Sequence, residues 1–281
     1  FSSHKSDSPI EARTYRKEVL KGLKGKERNY VEQAGRLAAY RHKRQQSGYQ
    51  VSEEEVPDIN YPPPMTQDGM FFGGTDPGRF VPTYMIYSAK VRPDVCLITQ
   101  NALADGTYMN VMRDLYGDDM WIPSSRDSNT AFQRYITKVK QGKIKAGAEL
   151  NFEDGKVSVQ GVASVMAINA ILCQDIHEYN RRTLDFYIEE SYPIPWMYKY
   201  LTPHGLILKL NGEPTELTQE MIDKDFEFWD WYMNKLIKHP QFMRDVIARK
   251  TFSKLRSSLA GMYNAKHRDR ETELAYRQSL A

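Results

Sequence analysis

Gly73, Gly74, Thr75, Asp76 and Arg79 crowd into one short loop, between the apolar run 70–72 and a helix-like pattern. Glycines permit a close backbone approach, and N–H groups at the start of the next helix could hold an anion. The spacing is neither GxGxxG nor a P-loop, no Lys-Ser/Thr follows, and Asp76 would repel a phosphate. Two further polar clusters end apolar runs: Gln100, Asn101 and Asp105, then Glu189, Glu190, Tyr192 and Trp196. Carboxylates, an amide and aromatic faces suit sugar hydroxyls or a cation. A plainer reading stands beside this one: Asp76 caps a helix, Pro77 and Gly78 set a turn, and Arg79 pairs with Asp76. Neighbouring Glu189 and Glu190 on a strand point to opposite faces, so only one of them could serve as an acid or base at a common site. His177 on a long apolar helix reads as a core histidine, and His204 in "LTPHG" as a loop residue. Cys96 and Cys173 sit in apolar runs without metal-ligand spacing; no metal site and no cofactor are expected.

These clusters meet only if the strands before them run side by side. Residues 70–72 and 94–99 are apolar without alternation, as in buried parallel strands. Helices are expected over 80–91, with Pro82 in the first turn, and along Tyr108, Val111, Met112 and Leu115, capped by Asp105 and stopped at Gly117. Strand, helix, strand, helix argues for βαβ units. Further expected elements are a helix with Phe132, Tyr135, Ile136 and Val139 on one face, a hairpin turning at 154–155, a helix over 161–180, and strands at 183–190 and 205–210. An aromatic-rich helix opened by Thr218 follows. The expected architecture is an α/β domain over 61–217, Rossmann-like and three-layered with a mostly parallel sheet, after a helical arm and linker (1–60) and before a helical region (218–281).

The 281 residues carry a formal charge of only +3, but Arg13, Arg16, Lys17, Lys21, Lys24, Lys26, Arg28, Arg36, Arg41, Lys43 and Arg44 concentrate basic charge in the arm. That arm is expected to touch an anionic membrane surface and not nucleic acid; the plainer alternative is a solvated helix face with Glu18, Glu27 and Glu32 as partners. The longest apolar run, around 162–173, is interrupted by Ser164 and Asn169 and is too short to span a bilayer. No initiating Met and no signal peptide are present, as expected of a piece of a larger protein.

In the tail, Leu259, Ala260 and Tyr263, with Tyr276 on the next helix, match tetratricopeptide spacing: a small residue lets two helices approach and aromatics fill between them. "FFGGTDPGRFVPTYMIYSAKVRPDVCLITQNAL" resembles the soluble C-terminal region of a large bacterial family of multi-pass membrane proteins related to protein O-mannosyltransferases. The resemblance is carried by Gly74, Asp76, Phe80 and Pro82, then Arg92, Pro93, Asp94, Val95, Asn101 and Leu103; the family's loop is richer in Asp and Asn. It implies a parent protein in the bacterial inner membrane, with this region periplasmic, a lipid-linked sugar as donor, and a catalytic acid in the membrane portion. The chain would then be an accessory domain, recognising a sugar or acceptor and docking protein partners through its tetratricopeptide-like helices. An independent enzyme using Asp76 with Glu189 or Glu190, and a scaffold, are the alternatives.

Overall fold

The apolar run "MFFG" is strand β1 (Met70–Gly73) in a computed structural model that describes residues 61–74, 76–143, 150–153, 156–159, 161–189 and 193–280. The chain divides into two compact units, Pro63–Leu217 and, among the described residues, 61–62 together with 218–280.

In the first unit β1 is followed by α1 (Asp76–Thr83), a π-helical turn (Tyr84–Ser88), β2 (Cys96–Thr99), a 3-10 turn (Gln100–Ala102), α2 (Gly106–Tyr116) and α3 (Ser125–Lys140). Strands β3 (Leu150–Glu153) and β4 (Lys156–Val159) pair antiparallel, and the hairpin's expected turn at 154–155 lies outside the described residues. Helix α4 (Val162–Asn180), β5 (Phe186–Ile188), a 3-10 helix (Pro195–Tyr200), β6 (Leu201–His204) and β7 (Ile207–Leu210) complete the unit.

The main sheet has the order β2-β1-β5-β7-β6. β1 lies parallel to both β2 and β5, and β7 runs antiparallel to both β5 and β6. The unit is therefore mixed α/β, and the mostly parallel sheet expected from the sequence is not what forms. The cause is β6, which falls where the sequence predicts a loop. Pro203 cannot donate to a ladder and hides the strand, yet an edge position tolerates it. A tight connection through Gly205, at φ 67°, then folds β7 back against it. His204 accordingly lies in β6, buried, and not in a loop.

Both faces of β1 are covered, which explains its unbroken apolar run. Phe71, Leu97 and Tyr187 line up across three strands and pack with Ile86 and Val95 on one face. On the other, Phe72 meets Phe186, and His177 of α4 stacks edgewise on Phe186. The Arg-Pro-Asp-Val segment acts as a latch: the Arg92 guanidinium grips Asp94 at 2.6 Å and donates to the carbonyls of Met65 and Thr66, while Asp94 accepts the Asp68 N–H.

Two helices depart from expectation. α1 starts at Asp76, so Pro82 falls inside it and not in its first turn. Proline removes one helical hydrogen bond, and a π-helical turn follows directly. α2 begins and ends as expected, but Met109, Met112 and Tyr116 are its buried residues, whereas Val111 and Leu115 are exposed. β2 is an edge strand, and its outward N–H groups at Leu97 and Thr99 donate to the hydroxyls of Tyr116 and Tyr108, at 3.1 and 2.6 Å. Satisfying those donors sets the helix's rotation and blocks the edge against another chain.

The second unit contains α5 (Gln219–Lys238), α6 (Pro240–Arg244), α7 (Val246–Ala265) and α8 (Asp269–Ser279). Thr218 caps α5 and Asp245 caps α7. Leu259, Ala260 and Tyr263 are buried, but Tyr276, expected to fill between the helices, is 45% exposed. No helix among the described residues is long and apolar enough to cross a membrane.

Candidate functional site

Parallel strands deliver their following loops to one rim, and β1, β2 and β5 do so on Gly74. The Gly74 N–H donates to Glu189 Oε2 at 2.7 Å, and the Gly74 carbonyl accepts from Asn101 Nδ2 at 3.0 Å. Glu189, only 6% exposed, is placed by its own N–H, which extends the ladder to the Phe72 carbonyl. A hydrogen bond to a carboxylate is about twice as strong as a neutral one, so this contact holds Gly74 firmly. Asn169 of α4 supplies the outer support: its Nδ2 donates to the Asn101 carbonyl at 2.9 Å and its Oδ1 accepts the Ala104 N–H at 2.7 Å. Asn101 Oδ1 is shielded from solvent and has no hydrogen-bond donor among the described residues.

The expected site residues separate into groups. Gly74, Asn101 and Glu189 come together, and Gly73 ends β1 opposite Thr99. Asp105 is committed as a cap, accepting from the N–H groups of Thr107 and Tyr108. Exposed Arg79 lies over the Phe80 ring at 5.2 Å. Trp196 joins an aromatic cluster with His177, at 5.3 Å, and Tyr200. That cluster meets β5 at its first residue, Phe186, whereas Glu189 follows its last. Asp76 is the first residue of α1. Thr75, Glu190, Tyr192 and the basic arm lie outside the described residues.

The sequence reading missed Asn169 as a site residue. Its signal was a polar side chain interrupting the apolar run 162–173. Ser164, the other interruption, accepts a hydrogen bond from the Tyr135 hydroxyl at 2.8 Å and ties α3 to α4.

Two histidines are held neutral. Burial lowers His177, whose Nε2 meets the Asn211 carbonyl at 3.2 Å. Burial, and then the Lys209 ammonium, pull His204 down to about 4. An unfolded histidine titrates near ~6.5, so unfolding takes up a proton between those values. Stability of this unit is therefore expected to fall as pH drops from about 6.5 to about 4, with His204 contributing up to about 3 kcal/mol and nothing above that window. Urea midpoints at about pH 7 and pH 4.5 check this: His204→Phe should shrink the difference between them. The Arg92 hydrogen bond holds the Asp94 carboxyl well below its usual range, so its contribution is lost only in stronger acid, below about pH 4.

Burial pushes the Cys96 thiol up to about 11 and raises Cys173 as well, so neither is a thiolate nucleophile at neutral pH. Among the described residues no cluster of three or more His, Cys, Asp or Glu could hold a metal. A shallow concavity of about 550 Å³ lies along α8, lined by Asp269, Thr272, Glu273, Tyr276, Arg277 and Leu280, and takes in none of the rim residues. Comparison of the chain with protein-family models, curated proteins and solved structures finds no match.

Proposed function

We propose that the α/β unit is a recognition domain that binds a sugar or glycan acceptor at the rim of β1, β2 and β5, within a membrane-bound, glycosyltransferase-like protein related to protein O-mannosyltransferases. The observation that carries this reading is the convergence of Asn101 and Glu189 on Gly74. It anchors Gly74 at the rim where ligands of parallel α/β sheets bind, and Asn101 Oδ1 has no donor among the described residues. Gly74 and Asn101 both belong to the segment that resembles the O-mannosyltransferase-related family, which supports an extracytoplasmic setting and a lipid-linked sugar in the parent reaction. In the same reading the α5–α8 helices dock protein partners and the basic arm meets anionic lipid. Catalysis by the chain alone has less support, because Glu189 is buried and holds the Gly74 N–H.

A thermal-shift screen of the intact chain against mannose-containing glycans and nucleotide sugars tests the site. Ligand at about a hundred times its Kd stabilises by about 2.7 kcal/mol, a rise of several degrees. That rise is expected in the wild type and not in Asp76→Ala or Asn101→Ala. Shifts that persist in both variants, or none with any sugar, would leave a scaffold.

A further inference from the structure

The segment after the glycine loop is amphipathic the wrong way round for a core helix. Phe80, Val81, Tyr84, Met85, Tyr87 and Val91 are 58, 59, 62, 38, 38 and 47% exposed, while Ile86 is the only buried residue among residues 79–92. Phe80 and Val81 lie on α1, Tyr84, Met85 and Tyr87 on the π-helical turn that follows it, and Val91 just beyond, so the exposed apolar side chains form one continuous run in the chain. Scattered surface hydrophobes need no explanation, but a run of this kind marks a place where something else docks. Exposed Val111 and Leu115 lie on α2, which this segment reaches through the hydrogen-bonded hydroxyls of Tyr87 and Tyr116.

We infer that this stripe lies on the surface of an anionic lipid bilayer. The charge pattern selects that occupant. Residues 79–92 contain Arg79, Lys90 and Arg92 and no acid. Arg92 is bound to Asp94, leaving exposed Arg79 and Lys90 at the two ends of the stripe. Phenylalanine and tyrosine flanked by basic residues are the composition of an interfacial segment: rings settle at headgroup level and cations reach anionic lipid. The inference does not depend on the sugar-site reading, nor on the basic arm.

The test compares the intact wild-type chain with Phe80→Ser/Tyr84→Ser in flotation with vesicles of phosphatidylglycerol and phosphatidylcholine. Both chains keep the basic arm, so its electrostatic share is common to them and is screened at about 0.5 M NaCl. The wild type is expected to bind at least about tenfold more strongly than the double variant and to keep part of that binding at high salt. A solvatochromic dye on Tyr84→Cys should shift blue with these vesicles and less with phosphatidylcholine alone, and a dye on Thr137→Cys should not shift. Unaltered melting of the double variant would show that its fold is intact. Absence of wild-type binding, equal binding by both chains, a dye at position 84 that stays in water, or a lipid-free dimer abolished by the double substitution would each overturn the inference; the last would assign the stripe to a second copy.

Discussion

Replacing Arg256 with methionine is expected to remove about 3–5 kcal/mol from the α5–α8 unit. Arg256 and Asp225 are fully buried, with Nη1 to Oδ2 at 2.6 Å. The same carboxylate oxygen accepts the Tyr263 hydroxyl at 2.8 Å. Arg256 Nε donates to Gln278, which donates onward to Asp230, so α7, α8 and α5 are joined by one polar chain. The guanidinium also lies 4.6 and 4.9 Å from the Phe226 and Trp229 ring centres. Methionine keeps the length and the ring contacts but strands the Asp225 charge in a medium where an unpaired ion is very costly. By contrast, the exposed pairs Lys224–Glu220 and Arg277–Glu273 should each contribute only about 0.3–0.5 kcal/mol. If the cost comes from the stranded charge and not from lost packing, the triple variant Arg256→Met/Asp225→Leu/Tyr263→Phe recovers most of it. Urea unfolding followed by tryptophan fluorescence measures both variants. A loss below about 1 kcal/mol for Arg256→Met would show that the pair is not what holds these helices.

Nothing in the sequence marks Arg256 as interior. A cation at a helical position is almost always solvated, and its partners lie 22 and 31 residues away in the chain. What the sequence does show is local. The unbroken apolar runs of β1 and β2, the caps at Asp105 and Thr218 and the long helix α4 each depend on residues within a turn or two of one another. Strand direction in half the sheet depends on β6, whose signal Pro203 removes. The rotation of α2 depends on two orphan N–H groups of β2, which no helical period encodes. The rim is legible in part for the same reason. Parallel β1 and β2 imply converging loops, whereas Trp196 is close to Glu189 in the chain and yet packs at the other end of β5.

Asn169 separates a positioning role from a merely structural one. It and Asn180 are eleven residues, three helical turns, apart on α4, so they share a face about 16 Å apart, and both are buried. Each clamps loop backbone with its amide: Asn169 holds the Ala104 N–H and the Asn101 carbonyl, and Asn180 holds the N–H and carbonyl of Trp121. Alanine at either position leaves a buried donor and a buried acceptor unpaired, and the loss should be about 2–4 kcal/mol in both cases. The consequences for the rim should differ. Only Asn169 supports the residue that supports Gly74, so Asn169→Ala should speed hydrogen exchange of the Gly74 amide by roughly tenfold or more and abolish any sugar-induced thermal shift. Asn180→Ala should lower the melting temperature by a similar amount and leave both readouts in place. Asn169→Asp sharpens the test: the acceptor for Ala104 survives, but a carboxylate faces the Asn101 carbonyl and must be protonated to donate to it. Its folded pKa is raised above the unfolded ~3.9, so this variant should lose more stability at neutral pH than near pH 4. Equal effects of Asn169→Ala and Asn180→Ala on Gly74 exchange would mean that the relay through Asn101 does not position the loop.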